Sequence, residues 1–216
     1  MLSDSPPERD VIWTESGVQG AGRFVQRISR MVDDIAGGKG AKHGSALPKM
    51  FGLEAMELRR ATHKALAAVG QNIENLRFNV AVAQIYELAN AVTTALPKTG
   101  DGLPEAIREA GEVLIQLIGP MMPHLGEDCW ARLQNHTLLA NAPWPAADPA
   151  LLVDDTVTIA VQVNGKRRDE LSISRDATPK EVELAALKLE GVIRALEGKP
   201  AKKVIVVPLR IVNVVA

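Results

Sequence analysis

Phe78, Val82, Ile85, Ala89, Val92 and Leu96 recur at spacings of four, three, four, three and four, the period of a helix with one buried face. Such a stripe needs helical partners, and the neighbouring segments have the pattern to supply them. A first helix is predicted over 17–36, with Phe24, Ile28, Met31, Val32 and Ile35 inward and Arg23, Gln26, Arg27 and Arg30 on the margin. A second is predicted over 53–72, with Met56, Leu66 and Ala67 inward and Arg59, Arg60, His63 and Lys64 at polar positions. His63 reads as a surface residue. A further helix starts near Pro104, a residue suited to the first helical position, with Glu105 in its first turn. Ile107, Ala110, Leu114, Leu117 and Met121 continue the bundle pattern, and Gly119-Pro120 interrupts the helix. Pro123-His124 then opens a short helix with Trp130 and Leu133 turned inward. About five helices with connections this short predict an antiparallel bundle.

After residue 155 the period changes from helical to two. Val157, Ile159, Val161 and Val163 alternate with Thr158, Ala160 and Gln162, the pattern of a half-buried strand. Asn164-Gly165 is a two-residue hairpin turn signal, and Leu171 and Ile173 mark the return strand. A helix is predicted over 181–189 behind Thr178 and Pro179, and two β-branched runs, 204–207 and 211–215, flank Pro208, Leu209 and Arg210. Between the halves, Pro143, Pro145 and Pro149 alternate with Trp144, Leu151 and Leu152, a strap with Trp144 expected on the end of the bundle. At the other end Ile12 and Trp13 follow no period, so the segment is expected to pack back on the helices or to join a preceding domain. The fold class is therefore two-domain, an all-α antiparallel helix bundle followed by a small α+β domain with its sheet covered on one side. The expected boundaries are 1–142 for the bundle, 143–155 for the linker and 156–216 for the small domain.

Composition sharpens this only in places. Aromatic residues are 3% of the 216, so the core must be mainly aliphatic. One cysteine excludes an internal disulfide framework and fits a reducing compartment. No apolar run approaches the roughly 18 residues of a membrane span, and a cytoplasmic protein is expected. The net charge of −1 hides an asymmetry: residues 156–216 carry 11 Lys or Arg against 7 Asp or Glu, and the rest 14 against 19. A basic module joined to an acidic one suits one-ended approach to a phosphate backbone.

Candidate chemistry is sparse. Gly37-Gly38-Lys39-Gly40 lacks both the preceding strand and the Lys-Ser/Thr pair of a phosphate loop. His124 and Glu127 share a helix face, but Cys129 falls on another and nothing completes a metal set. The four histidines lie in four segments, so no catalytic residue, metal or cofactor is assigned within this chain. Binding is better supported. Lys166, Arg167 and Arg168 follow the hairpin turn, Lys199, Lys202 and Lys203 precede the third strand, and Arg210 sits before the fourth. Basic residues at turns reach phosphates without disturbing a packed sheet, although lysines and arginines also guard sheet edges against pairing. Arg23, Arg27 and Arg30 form a weaker basic stripe, facing either solvent or phosphate.

Several motifs in order resemble the C-terminal portion of bacterial leucyl-tRNA synthetases, a class I aminoacyl-tRNA synthetase family. They are Ser5-Pro6-Pro7-Glu8-Arg9-Asp10 with Trp13, Leu76-Arg77-Phe78-Asn79, Pro120-Met121-Met122-Pro123-His124-Leu125, and Trp144-Pro145 with Asp148-Pro149. The most specific are Val161-Gln162-Val163-Asn164-Gly165-Lys166 and Val206-Val207-Pro208-Leu209-Arg210-Ile211-Val212-Asn213. The resemblance implies a helical anticodon-binding-type domain, then a C-terminal domain that contacts the outer corner of tRNA. It further implies a parent enzyme that attaches leucine to tRNA(Leu) with ATP and Mg, and catalytic and editing domains on the same polypeptide but outside this chain. The expected partner is tRNA(Leu), with no DNA, no membrane and a monomeric state. Where the family usually has Gly this chain has Asp169, and Cys129 replaces a usual aliphatic residue. An independent RNA- or protein-binding accessory built from the same domains is the alternative reading.

Overall fold

The computed structural model describes residues 2–3, 5–10, 12–153, 156–174, 177–196 and 201–215. The chain divides into two compact units, Met1–Leu152 and Val153–Ala216.

The first unit is helical. α1 (Glu15–Asp34) starts where the Thr14 hydroxyl accepts the Gly17 N–H at 3.2 Å, and it runs into a widened turn over Ile35–Lys39. α2 (Leu53–Glu74), α3 (Phe78–Ala95) and α4 (Leu103–Ile118) pack against one another, and α5 (Pro123–Arg132) packs on α1 and α4. The predicted stripe of α3 is inward at Ile85, Ala89 and Val92. α4 is the central helix. Leu114 and Ile115, like Leu117 and Ile118, are adjacent in sequence and all buried, so this helix is covered on more than one side. Its start requires glycine: Gly102 has φ 72, and a β-carbon there would lie 2.7 Å from the Phe51 ring. Arg132 at the end of α5 binds the Ser29 carbonyl at 2.8 Å and pairs with Asp33, fixing α5 to α1.

One expectation needs correction here, and two others take a more definite form. His63 is not a surface residue but 7% exposed. Its Nδ1 accepts the Asp148 N–H at 3.0 Å, which leaves the ring proton on Nε2, facing Glu109 Oε1 at 3.1 Å. Arg59 binds the same carboxylate at 2.7 and 3.2 Å. Burial alone would raise the Glu109 carboxyl, but the hydrogen bonds from His63 and Arg59 outweigh it and hold the group below the usual carboxylate range. Periodicity missed His63 because its partners come from α4 and from residue 148. Ile12 and Trp13 are 80% and 72% exposed, so among the described residues nothing covers them, and of the two alternatives for this segment packing back on the helices is the one overturned. Trp144 lies against Gly70 in the last turns of α2, at the end of the bundle as expected, and is left 47% exposed. The strap is held by other groups. Gln116 donates to the Pro143 carbonyl at 3.2 Å, Asp148 caps α6 (Pro149–Leu152) through the Ala150 N–H, and Leu151 is buried.

The second unit is a four-stranded sheet with helices on one face. β1 (Thr156–Val163) and β2 (Lys166–Ser174) form the expected hairpin, with Asn164 and Gly165 at φ 49 and 79. β3 (Lys203–Val207) and β4 (Ile211–Val215) are antiparallel, and β4 lies parallel to β1, giving the order β2-β1-β4-β3. α7 (Pro179–Leu187) starts at Thr178, whose hydroxyl and the Glu181 carboxylate cap each other's backbone N–H groups. A second helix, α8 (Glu190–Leu196), follows immediately, where the sequence pattern predicts none. Val182 and Ala186 of α7 and Val192 and Leu196 of α8 pack on Ile159, Val161, Val163, Leu171, Val212 and Val214.

Candidate nucleic-acid interface

Strand register decides which basic side chains come together. Lys166 lies opposite Val163, Val163 beside Val214, and Val214 opposite Val204, while Lys203 pairs with Val215 one step further along. The hairpin tip and the start of β3 are therefore at the same end of the sheet. With strands about 4.8 Å apart, Lys166 and Arg167 stand roughly 14 Å from Lys203. Lys166, Arg167, Arg168, Lys202 and Lys203 are all exposed. Arg210 is exposed too, but it precedes Ile211 at the opposite end of β4, roughly 13 Å away. Lys199 lies outside the described residues.

The tip of the hairpin is tied down from β4. The Asn164 N–H donates to the Val214 carbonyl at 2.9 Å, and the Gly165 N–H to Asn213 Oδ1 at 3.2 Å. Asn213 was quoted in the sequence as part of a motif, but its role depends on the parallel pairing of β1 and β4. Pairing of β1 with β2 shifts by one residue between Val161, opposite Asp169, and Gln162, opposite Arg167, so Arg168 is an extra residue in a bulge. The shift turns Arg167 to the same face as Glu170, and the two form an ion pair. That pair is solvent-exposed, and it leaves Lys166, Arg168, Lys202 and Lys203 with no ion-pair partner among the described residues.

The arginines of α1 have three different environments. Arg23 is exposed, and Arg30 is exposed with its Nε donating to the Gln26 carbonyl at 3.3 Å. Arg27 is half-buried 5.8 Å from the centre of the Phe24 ring, which itself stacks on Tyr86 at 3.9 Å. Its Nε and Nη2 are buried without a hydrogen-bond partner among the described residues, so it is the one of the three held in place by packing.

Reactive groups are placed for structure. Cys129 is buried, and burial pushes its thiol up to about 11, far from the thiolate a nucleophile needs. Glu127 accepts the N–H groups of Leu139 and Ala140 at 2.7 and 3.0 Å, closing the turn after α5. Among the described residues no group of three or more His, Cys, Asp and Glu is arranged to hold a metal. No helix among them is long and apolar enough to cross a membrane.

The chain is a helical bundle followed by a small α+β unit with a basic sheet end, and it belongs to the family described as the anticodon-binding domain of tRNA ligase, which matches residues 56–184. Among curated proteins, the whole chain aligns with leucine–tRNA ligases. It is 58% identical over 219 residues to that of Parvibaculum lavamentivorans and 54% identical over 225 residues to that of Mesorhizobium japonicum. The chain spans about a quarter of these relatives, 24% and 25% of their lengths. Among solved structures, the LeuRS of Agrobacterium radiobacter, in a ternary complex with tRNA and LeuAMS, superposes with a TM-score of 0.73 at 24% identity. The match covers 99% of this chain and 28% of that one, and it establishes the shared fold.

Proposed function

We propose that this chain is the RNA-holding part of a leucine–tRNA ligase. In this reading residues 1–142 are the helical anticodon-binding-type domain, 143–155 the linker and 156–216 the domain that meets the outer corner of tRNA(Leu). The end-to-end likeness to leucine–tRNA ligases carries the reading. The parent enzyme, acting in the cytoplasm, joins leucine to tRNA(Leu) with ATP and Mg through catalytic and editing domains outside these residues. Folded RNA is held by shape and by phosphate contacts, so charged groups at fixed positions matter more than base-reading side chains. Lys166, Arg168, Lys202 and Lys203 are the principal contacts, with Arg167 sharing its charge with Glu170. Arg210 meets a separate stretch of RNA, and Lys199 is a further contact. Arg27, with Arg23 and Arg30 beside it, faces the anticodon stem.

A salt titration with leucine tRNA and a noncognate tRNA tests this. Four phosphate contacts give log affinity against log salt a slope of about −3, similar for the two RNAs, between about 50 and 200 mM salt. Affinity independent of salt, or no binding at about 50 mM, would overturn the proposal.

A further inference from the structure

Asp169 is electrostatically out of place. It sits between Arg168 and Glu170 in a surface proposed to hold a polyanion, where a carboxylate adds repulsion. Its geometry points to another role. Asp169 lies opposite Val161, which is fully buried, so the bulge returns it to the helix-covered face. There its Oδ2 accepts the Gly191 N–H at 3.0 Å, at the start of α8, while Oδ1 accepts the Glu170 N–H at 2.9 Å.

A second observation concerns Gly191 itself. A β-carbon at that position would stand 2.4 Å from the Arg168 carbonyl oxygen and 2.8 Å from Asp169 Oδ2. The backbone of the bulge and that of α8 thus approach more closely than any side chain at 191 permits. The junction borders an open hollow of about 810 Å³ lined by Arg168, Asp169, Glu190, Gly191 and Arg194 among others. Arg194 pairs with Glu190 at 3.0 Å, so Arg168 is the cation of this hollow without an ion-pair partner among the described residues.

We propose that Asp169 is a positioning residue for RNA binding: its carboxylate clamps the β2 bulge onto the start of α8, fixing the backbone from which Arg168 reaches a phosphate. The inference rests on the function proposed above. An arginine on a free bulge must lose rotational freedom when it meets the RNA, and one on a clamped backbone has already lost part of it. That gain has to exceed the repulsion from one carboxylate whose oxygens are both engaged in hydrogen bonds.

Charge and clamp are separated by two substitutions. Asp169→Asn removes the charge and keeps an acceptor oxygen, whereas Asp169→Ala removes both. The clamp predicts tRNA affinity within about twofold of the parent for Asp169→Asn, and about three- to tenfold weaker for Asp169→Ala, the size of one lost phosphate contact. It also predicts faster amide exchange at Gly191 in the alanine variant alone. Tighter tRNA binding by both variants, with Gly191 exchange unchanged, would overturn it. If Asp169→Ala does not fold, Asp169→Ser gives the same comparison, because its hydroxyl is too short to span to Gly191. Arg168→Ala distinguishes the two levels. Loss of affinity there with a gain in Asp169→Ala rejects the clamp only, whereas no loss in Arg168→Ala rejects the RNA-holding role of this end and the clamp's purpose with it.

Discussion

Replacing Lys166, Arg168, Lys202 and Lys203 together with alanine weakens tRNA binding about a thousandfold at about 0.15 M salt and flattens the salt dependence by about three in slope. Each of these side chains is exposed and without an ion-pair partner among the described residues, so each is available to displace a counterion from a phosphate. One such contact is worth about 1 kcal/mol at that salt concentration, and four contacts sum to about three powers of ten. Arg167→Ala has a smaller effect, because Glu170 already shares that charge. The substituted positions lie outside the buried cluster built on Val161, Val192 and Val214, so the variant keeps its fold and its thermal transition. A drop of less than about threefold would remove this end of the sheet from the binding surface.

The second large effect is on stability. Ile115 has no exposed surface and lies in the middle of α4, the helix covered by α2, α3 and α5. Ile115→Ala leaves a cavity that rigid neighbours on several sides cannot close, and it costs the helical unit about 3 kcal/mol. For a unit of this size the unfolding midpoint falls by about 10 °C. The hydrophobic cluster of the helical unit and that of the sheet unit share no residue. Calorimetry therefore resolves a transition that moves and a second, belonging to the sheet unit, that stays. A single transition shifted as a whole would mean that the two cores unfold together.

What the sequence made legible follows physical range. The stripe from Phe78 to Leu96 became α3, and the alternation before Asn164-Gly165 became β1, because period and turn chemistry act within a few residues. Trp130 and Leu133 are buried, so the inward face of α5 was readable for the same reason. α8 was not. It has seven residues, and only Val192 and Leu196 face the core, too short a stripe to separate from the end of α7.

The site was legible as a list of basic residues and not as an arrangement. Nothing local reveals that β4 runs parallel to β1, yet that pairing brings Lys202 and Lys203 to the hairpin end and leaves Arg210 at the other. Nor does spacing reveal the extra residue at Arg168, which turns Arg167 toward Glu170 and Asp169 toward Gly191. His63 has the same lesson in the bundle, since its burial depends on Glu109 and on the backbone of Asp148.

The most direct test of the RNA-holding account is lysine footprinting of this chain with and without leucine tRNA, read residue by residue by mass spectrometry. The account predicts that Lys166, Lys202 and Lys203 become protected together, while Lys180 and Lys188, exposed on or beside α7, stay as reactive as in the free protein. Protection of Lys180 and Lys188 with the sheet-end lysines unchanged would contradict it.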